Sequence, residues 1–438
     1  MSTYLRVLRH RDFRYLFAGQ SASELGDRVV VVALALYITQ RTGSPTDLSL
    51  VLFAQSLPLV ALLLIGGVWA DRLPRQRIMI TTDVIRAALH GLLAAVIFAG
   101  APPIWEIVVI EALFGAARAF FQPAYSGLLP QTVPEAEIQD ARACSESVSN
   151  VAFLVGPAIA TALVLGVGAW EAFALDAATF ALSAALLTRV TPRVRAGAAQ
   201  SAPAARPSVF EDLLDGWREV RSRAWVWVTI AVFTGSVMCV YAQWYSLAPR
   251  IARQVYGSAG VFGLLEFLAG VGAVAGAALA MRWRPRRPLM MGILLVLFWP
   301  LNDLAFALGA PLVGVCALSL ALGVGWALMS IWWETALAQH IPARALSRVS
   351  AWDWMGSLAL LPLGYLLSGP LAAAIGARAV LGVGSAVGIA LLALGVVPRA
   401  TRELGLGEQL AGDVGVGLSG EAEIADVDAL VGAVHQRG

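Results

Sequence analysis

Residues 50–70 and 379–397 each run without a charged side chain for long enough to cross the hydrocarbon core of a bilayer. That crossing takes about 20 apolar residues in an α-helix. Such a run is committed to helix, because lipid offers nothing to satisfy exposed backbone groups. Read this way, the chain holds twelve candidate spans, at residues 15–38, 50–70, 78–98, 105–125, 143–165, 170–187, 225–247, 262–280, 289–308, 312–333, 350–367 and 379–397. Composition points the same way: 58% of residues are hydrophobic and 14% charged, with a mean hydropathy of +0.73. A soluble domain averages roughly 25% charged. The spans beginning at 15, 143, 289 and 350 carry charges within them.

The spans fall into two matched halves. Gly67 to Arg77 (GVWADRLPRQR) closes an apolar run with a burst of charge, and Gly276 to Arg287 (GAALAMRWRPRR) does the same 209 positions later, 276 minus 67. Gly26 pairs with Gly235, and Gly156 with Gly364, at nearly that offset. Gln131 to Pro134 likewise echoes Gln339 to Pro342. One internal repeat of apolar segments predicts an all-α integral membrane protein of two pseudo-symmetric six-helix bundles. In that architecture the interface between repeats forms a substrate path. The expected units are a first bundle over 1–190, a linker over 191–223, a second bundle over 224–398 and a tail over 399–438.

Charge placement gives an expected orientation. Arg72, Arg75 and Arg77 follow the second span, Arg282, Arg284, Arg286 and Arg287 follow the eighth, and seven arginines from Arg189 to Arg223 separate the sixth from the seventh. If the spans alternate, all lie on one side, and the positive-inside rule makes that side and both termini cytoplasmic. Arg250 and Arg253 fall on the other side as exceptions. The net charge of +2 hides this asymmetry and gives no sign of nucleic-acid binding. The basic N-terminus is not read as a cleaved leader, because Glu24, Asp27 and Arg28 interrupt the segment that follows.

No cofactor is expected. Cys144, Cys239 and Cys316 have no metal or disulfide spacing, the four His residues form no metal motif, and no phosphate-binding loop is present. A membrane enzyme would need a nucleophile with a base, or a metal cluster, near one face. Residues 191–208, rich in Pro, Ala and Arg, read as a flexible linker, and the acidic, Gly-rich tail has room for a short helix near 422–434.

Gly67, Asp71, Arg72, Arg75 and Arg77 resemble the loop signature G-x-x-x-D-R-x-x-R-x-R of the major facilitator superfamily. The stretches DFRYLFAGQSASELGDR, FFQPAYSGLLPQTVP and LVGPA are similar to its enterobactin-exporter-like and macrolide-efflux-like branch. The resemblance is strongest over the first 190 residues. It departs at Pro74, where many members have Gly, and at Ala280, where the second copy lacks the acid. The resemblance implies twelve helices and a gating latch built on the loop, with Asp71 taking hydrogen bonds from Arg or a helix N-terminus. Gly156 and Pro157 resemble the drug-exporter antiporter motif, in which small residues and a bent helix form a pivot. Here Ala160 and Thr161 stand where that motif often has Gly-Gly.

Charges inside the spans are costly and invite a functional explanation. Glu24, Asp27 and Arg28 lie in the first span, Glu111 and Arg118 in the fourth. In the resembled fold these two spans are antiparallel and line the cavity. At about 1.5 Å per residue, Glu24 meets the depth of Arg118, and Arg28 that of Glu111. Two crossed ion pairs are expected, which leaves Asp27 unpaired. An unpaired carboxylate in low dielectric favours its neutral form and suits a proton carrier. The alternative is a static network that holds the bundle together.

The matching spans of the second half are poor in charge and rich in aromatics. Tyr241 and Trp326 are expected in a pocket with Asn150, while Trp244, Tyr245, Trp332 and Trp333 are expected as interfacial belt residues. Glu266 and Asp303 are expected as buried polar contacts. The sequence thus predicts a secondary transporter of the bacterial inner membrane, a proton-coupled exporter of small amphiphilic compounds, siderophore-like or antibiotic-like. The alternatives are an importer or facilitator on the same scaffold and, outside transport, a sensor or scaffold protein or a membrane enzyme. The expected partners are the small molecule, protons and the bilayer, with no nucleic acid, in a monomeric chain.

Overall fold

The computed structural model describes residues 3–192, 209–283 and 285–405. Within these, the side chains at 3–5, 64, 67, 68, 70, 71, 209–213, 343, 344 and 347 lie outside the description. All regular secondary structure among the described residues is helical, with no strand.

Twelve spanning helices follow the predicted spans, their ends extended or trimmed by up to nine residues. They are α1 (Arg11–Arg41), α2 (Pro45–Arg72), α3 (Arg75–Ala99), α4 (Ile104–Leu128), α5 (Ile138–Gly166) and α6 (Ala169–Leu187) in the first half. In the second half they are α7 (Ala224–Tyr256), α8 (Gly260–Ala280), α9 (Pro288–Leu308), α10 (Leu312–His340), α11 (Ala343–Ala359 and Leu361–Ile375) and α12 (Ala377–Gly395). Ten of these regions are long and apolar enough to span by composition, and α1 and α4 complete the set.

Local chemistry sets the breaks. Gly43, with φ of 62°, turns the chain between α1 and α2, where an L side chain would be strained. Ser44 then caps α2 by accepting from the Asp47 amide at 3.3 Å, with Pro45 in the first turn. α9 is interrupted at Leu297 and α11 at Leu360. In each case a proline two or three residues later, Pro300 or Pro362, lacks the amide hydrogen that would bond one turn back. α7 widens into a π-helical turn over Val237–Tyr241.

The repeat seen in the sequence performs equivalent packing in both halves. Gly26 lets α1 meet the Asp176 backbone of α6, and Gly235 lets α7 meet Leu391 of α12. Gly156 brings α5 onto the Arg28 backbone of α1, and Gly364 brings α11 onto the Met238 backbone of α7. Gly115 and Gly323, 208 apart (323 minus 115), seat α4 on the Gln55 carbonyl of α2 and α10 on the Ala269 carbonyl of α8. Apolar attraction between helices is weak in lipid, so close backbone approach at small residues supplies the packing.

The halves meet from mid-depth toward the face opposite the arginine-rich loops. Gly270 of α8 sits on Leu154 of α5, Gly263 on Thr161, and Gly369 of α11 on Thr46 of α2. Arg250 of α7 donates to the Gly43 carbonyl oxygen at 2.5 Å. Toward the arginine-rich face, Asn150 and Trp354 are exposed, and Trp326 is 40% exposed. The predicted linker is in part helical. Val209–Arg221 is an amphipathic helix whose Trp217 ring lies 5.0 Å from Trp352 of α11. The flexible stretch expected over 191–208 lies outside the described residues from 193 on, as does the tail helix expected near 422–434.

Candidate functional site

Asp83, Arg86 and His90 stand three and four residues apart on α3, so they share one face. All three are buried, at 0%, 1% and 0% exposure. That face looks into the first bundle, where α1 brings Asp27, α4 brings Glu111 and α6 brings Asp176.

The Arg86 guanidinium pairs with Asp83 on its own helix and lies 3.7 Å from the Asp27 carboxylate. It is held between the rings of Phe121 and Phe180, 4.1 Å from each centroid. Such a planar cation between two faces gains from both quadrupoles, most where water is excluded. One turn and a little further on, His90 stacks on Phe114 at 3.9 Å with the rings 6° apart. Its Nδ1 is 2.5 Å from Asp176 Oδ2, and its Nε2 is 3.7 Å from Glu111 Oε1. The other Glu111 oxygen accepts from Gln55 Nε2 of α2 at 2.6 Å. Among the described residues, buried atoms without a hydrogen-bond partner include His90 Nε2, Glu111 Oε1, Asp83 Oδ2 and Asp176 Oδ1. Asp176 Oδ1 occupies the space that a side chain at Gly26 would fill.

The crossed ion pairs expected from helix depth do not form. Arg28 donates through Nε and Nη2 to Glu24 Oε1, at 3.0 and 2.9 Å, one turn back on its own helix. A partner four residues away on a rigid helix is already in reach. Glu111 faces α2 and α3 instead of Arg28. Asp27 is not unpaired, since Arg86 of α3 faces it. Arg118 is half-buried and has no hydrogen bond or ion pair among the described residues.

Of the loop signature, the side chains of Gly67 and Asp71 lie outside the description, and Arg72 and Arg77 are exposed. Arg75 donates to the Gly127 carbonyl oxygen at 2.9 Å, near the C-terminal end of α4, where the helix dipole favours a cation. That bond lies within one half. Gly156 packs on Arg28, and the Pro157 carbonyl accepts from Thr161 at 2.8 Å.

In the second half four aromatic rings form a chain of contacts. The Tyr241 ring lies 4.6 Å from that of Tyr245, tilted by 41°, and meets Trp299 edge-on at 6.4 Å. Trp299 meets Trp326 at 5.4 Å. Asn150 lies one turn from Leu154, on the α5 face that packs α8, and is exposed. The four expected belt residues are interior. Trp244 and Tyr245 donate to Glu266 at 2.7 and 2.6 Å, and Trp333 donates to Asp353 at 2.9 Å. Trp332 is buried against Trp283. Helices α7 and α10 run beyond their predicted ends, which carries these residues inward. Glu266 and Asp303 are the buried polar contacts expected, the latter beside Asn302 at 3.2 Å.

Asp83, Arg86, His90 and Asp176 were not among the expected site residues. A signal existed, three polar residues on one face of an otherwise apolar span.

The model of the Major Facilitator Superfamily matches residues 16–358. The multidrug efflux pump Tap of Mycolicibacterium fortuitum is 27% identical over 413 residues, 89% of this chain and 96% of the relative. Macrolide efflux protein A of Streptococcus pyogenes is 31% identical over 165 residues, 38% of this chain and 40% of the relative, so that match spans under half of either protein. Among solved structures, a bacterial homologue of the human lysosomal transporter Spinster, inward-facing and unoccupied, superposes with a TM-score of 0.64 at 16% identity, covering 92% of this chain and 97% of that one. A point mutant of the nucleoside transporter NupG gives 0.68 at 11% identity, covering 88% and 98%. At these identities the two structures share the fold.

Proposed function

The chain belongs to the Major Facilitator Superfamily, and on that premise we propose that it is a proton-coupled exporter of small amphiphilic organic compounds. It is a multi-pass membrane transporter and not an enzyme. The export direction and an antibiotic-like cargo draw support from the multidrug efflux pump it resembles over most of its length, and a siderophore-like cargo rests on the sequence resemblance alone.

The observation that carries proton coupling is a charge count. Asp27, Asp83, Glu111 and Asp176 are four carboxylates gathered around one guanidinium and one imidazole. Five of the six side chains are at most 1% exposed, and Asp27 is 15% exposed. Even with His90 charged, two positive groups face four acids, so neutrality requires two carboxylate protons. Uncompensated buried charge costs several kcal/mol per ion, so the cluster holds protons at rest. A bundle that stores protons and rearranges during transport can couple their movement to cargo. Glu24, Arg28 and Arg118 are proposed to sense cargo and bias that exchange, and Tyr241, Trp326 and Asn150 to contact it. The arginine-rich face is cytoplasmic in this reading, which makes the state described open inward, and the chain acts as a monomer. Gly67, Asp71, Arg72, Arg75 and Arg77 serve as its loop latch and Gly156 with Pro157 as a pivot.

Everted membrane vesicles energised by respiration, with a pH-gradient dye, test this. Addition of a macrolide or a siderophore should dissipate the gradient in the wild type, and Asp27→Asn should blunt the response. No response to any amphiphile, with the protein folded and abundant, counts against proton-coupled export.

A further inference from the structure

Resting on that reading, we propose that the exchanged proton sits between Glu111 Oε1 and His90 Nε2, which makes His90 a proton-carrying residue of the coupling machinery. These two atoms face each other at 3.7 Å, both buried and both without a hydrogen-bond partner among the described residues. The separation is slightly too long for a hydrogen bond and is closed by a shift of under about 1 Å.

Their neighbours fix where the proton goes. Asp176, a carboxylate acceptor, takes the Nδ1 side of the ring at 2.5 Å. The neutral imidazole therefore carries its hydrogen on Nδ1 and leaves a lone pair on Nε2. Gln55 donates an amide hydrogen to Glu111 Oε2 at 2.6 Å, so a proton on this carboxyl belongs on the other oxygen, Oε1. The resting arrangement is thus an O–H on Glu111 aimed at a bare nitrogen of His90. When α3 and α4 close by that small distance, the Oε1–H bond breaks and an Nε2–H bond forms. The products are an imidazolium held by Asp176 and a carboxylate held by Gln55, with total charge unchanged.

The remaining charged groups around His90 are Asp27 on α1, and Asp83 and Arg86 on its own helix. The Phe114 ring stacked on the imidazole and the edges of Phe173 and Phe180 exclude water from its faces. Asp27 is the most exposed member of the cluster, so once it has passed its own proton to solvent it can receive the one leaving His90.

The full chain in proteoliposomes gives the functional test, with a macrolide as probe. His90→Gln and Glu111→Gln should each abolish proton-driven uphill transport while retaining macrolide exchange down its own gradient. Uphill transport at wild-type level in both variants overturns the assignment and leaves proton-coupled export standing. A wild type that pumps the macrolide without moving protons overturns both. Because the chain has only four His residues, 15N-histidine labelling of the wild type in nanodiscs reads the ring directly, whatever the variants' folding. A resting His90 with hydrogen on Nδ1 and a bare Nε2 supports the assignment; a ring with a bare Nδ1 overturns it.

Discussion

Arg250 Nη1 donates to the carbonyl oxygen of Gly43 at 2.5 Å, tying α7 of one half to the α1–α2 turn of the other. The left-handed Gly43 belongs to the tight turn that presents that carbonyl. The bond exists only while this face is closed. A charge-assisted bond at a half-buried site contributes about 1 kcal/mol, or a factor of about five in the balance of states. Arg250→Ala should therefore move the population toward opening at this face. Spin-label distances between the α2 N-terminus and the α11 C-terminus would lengthen; an unchanged distribution would show that the bond does not contribute to closure.

Gly369 and Gly270 should act in the same direction and more strongly. A methyl at Gly369 meets Thr46 Cα at 2.5 Å, and one at Gly270 meets Leu154 Cα at 2.7 Å. Both obstacles are backbone, which cannot swing aside. Overpacking of this kind costs roughly 1–3 kcal/mol, here charged only to the closed arrangement. Gly369→Val and Gly270→Val should raise cysteine-reagent access to the cavity from that face and slow transport, with the melting temperature little changed.

Arg86 depends on Asp83. Asp83→Leu leaves a guanidinium that is 1% exposed beside only Asp27, 3.7 Å away, and should destabilise the bundle by about 3–5 kcal/mol. Adding Arg86→Met removes the stranded charge and should recover part of that loss. Thermal unfolding in detergent would place the double variant above the single one, and the reverse order would contradict the pairing.

Glu266 is satisfied by two ring donors, Trp244 Nε1 and the Tyr245 hydroxyl. Trp244→Phe and Tyr245→Phe each strip one donor from a buried carboxyl, at about 1–3 kcal/mol. Because both bonds end on one group, the double variant should not be the sum of the singles. Melting temperatures of the three variants measure that coupling energy.

Much of the fold was readable from the chain alone because the signals are local. An uncharged run of spanning length needs no partner to become a helix, and an offset of 208 or 209 residues needs no coordinates to reveal two halves. The glycines that matched in the repeat, Gly26 with Gly235 and Gly156 with Gly364, turned out to perform matched packing. The site was less legible. Arg28 took the partner on its own helix, Glu24, although depth along antiparallel helices allowed others. His90 looked like one of four scattered histidines until α4 and α6 placed Glu111 and Asp176 on either side of it.

The sequence by itself determined that this chain crosses a membrane in twelve helices, in two related bundles, with acids and arginines placed inside them. Hydropathy and periodicity are properties of neighbouring residues, so one string suffices to state them. Only the tertiary structure decided which charges meet. The cluster draws Asp27, Arg86, Glu111 and Asp176 from four helices, and its membership depends on how each helix is rotated about its axis. That rotation is set by backbone contacts such as Gly115 on Gln55 and Gly26 on Asp176, where a single methyl would turn the carboxylates elsewhere.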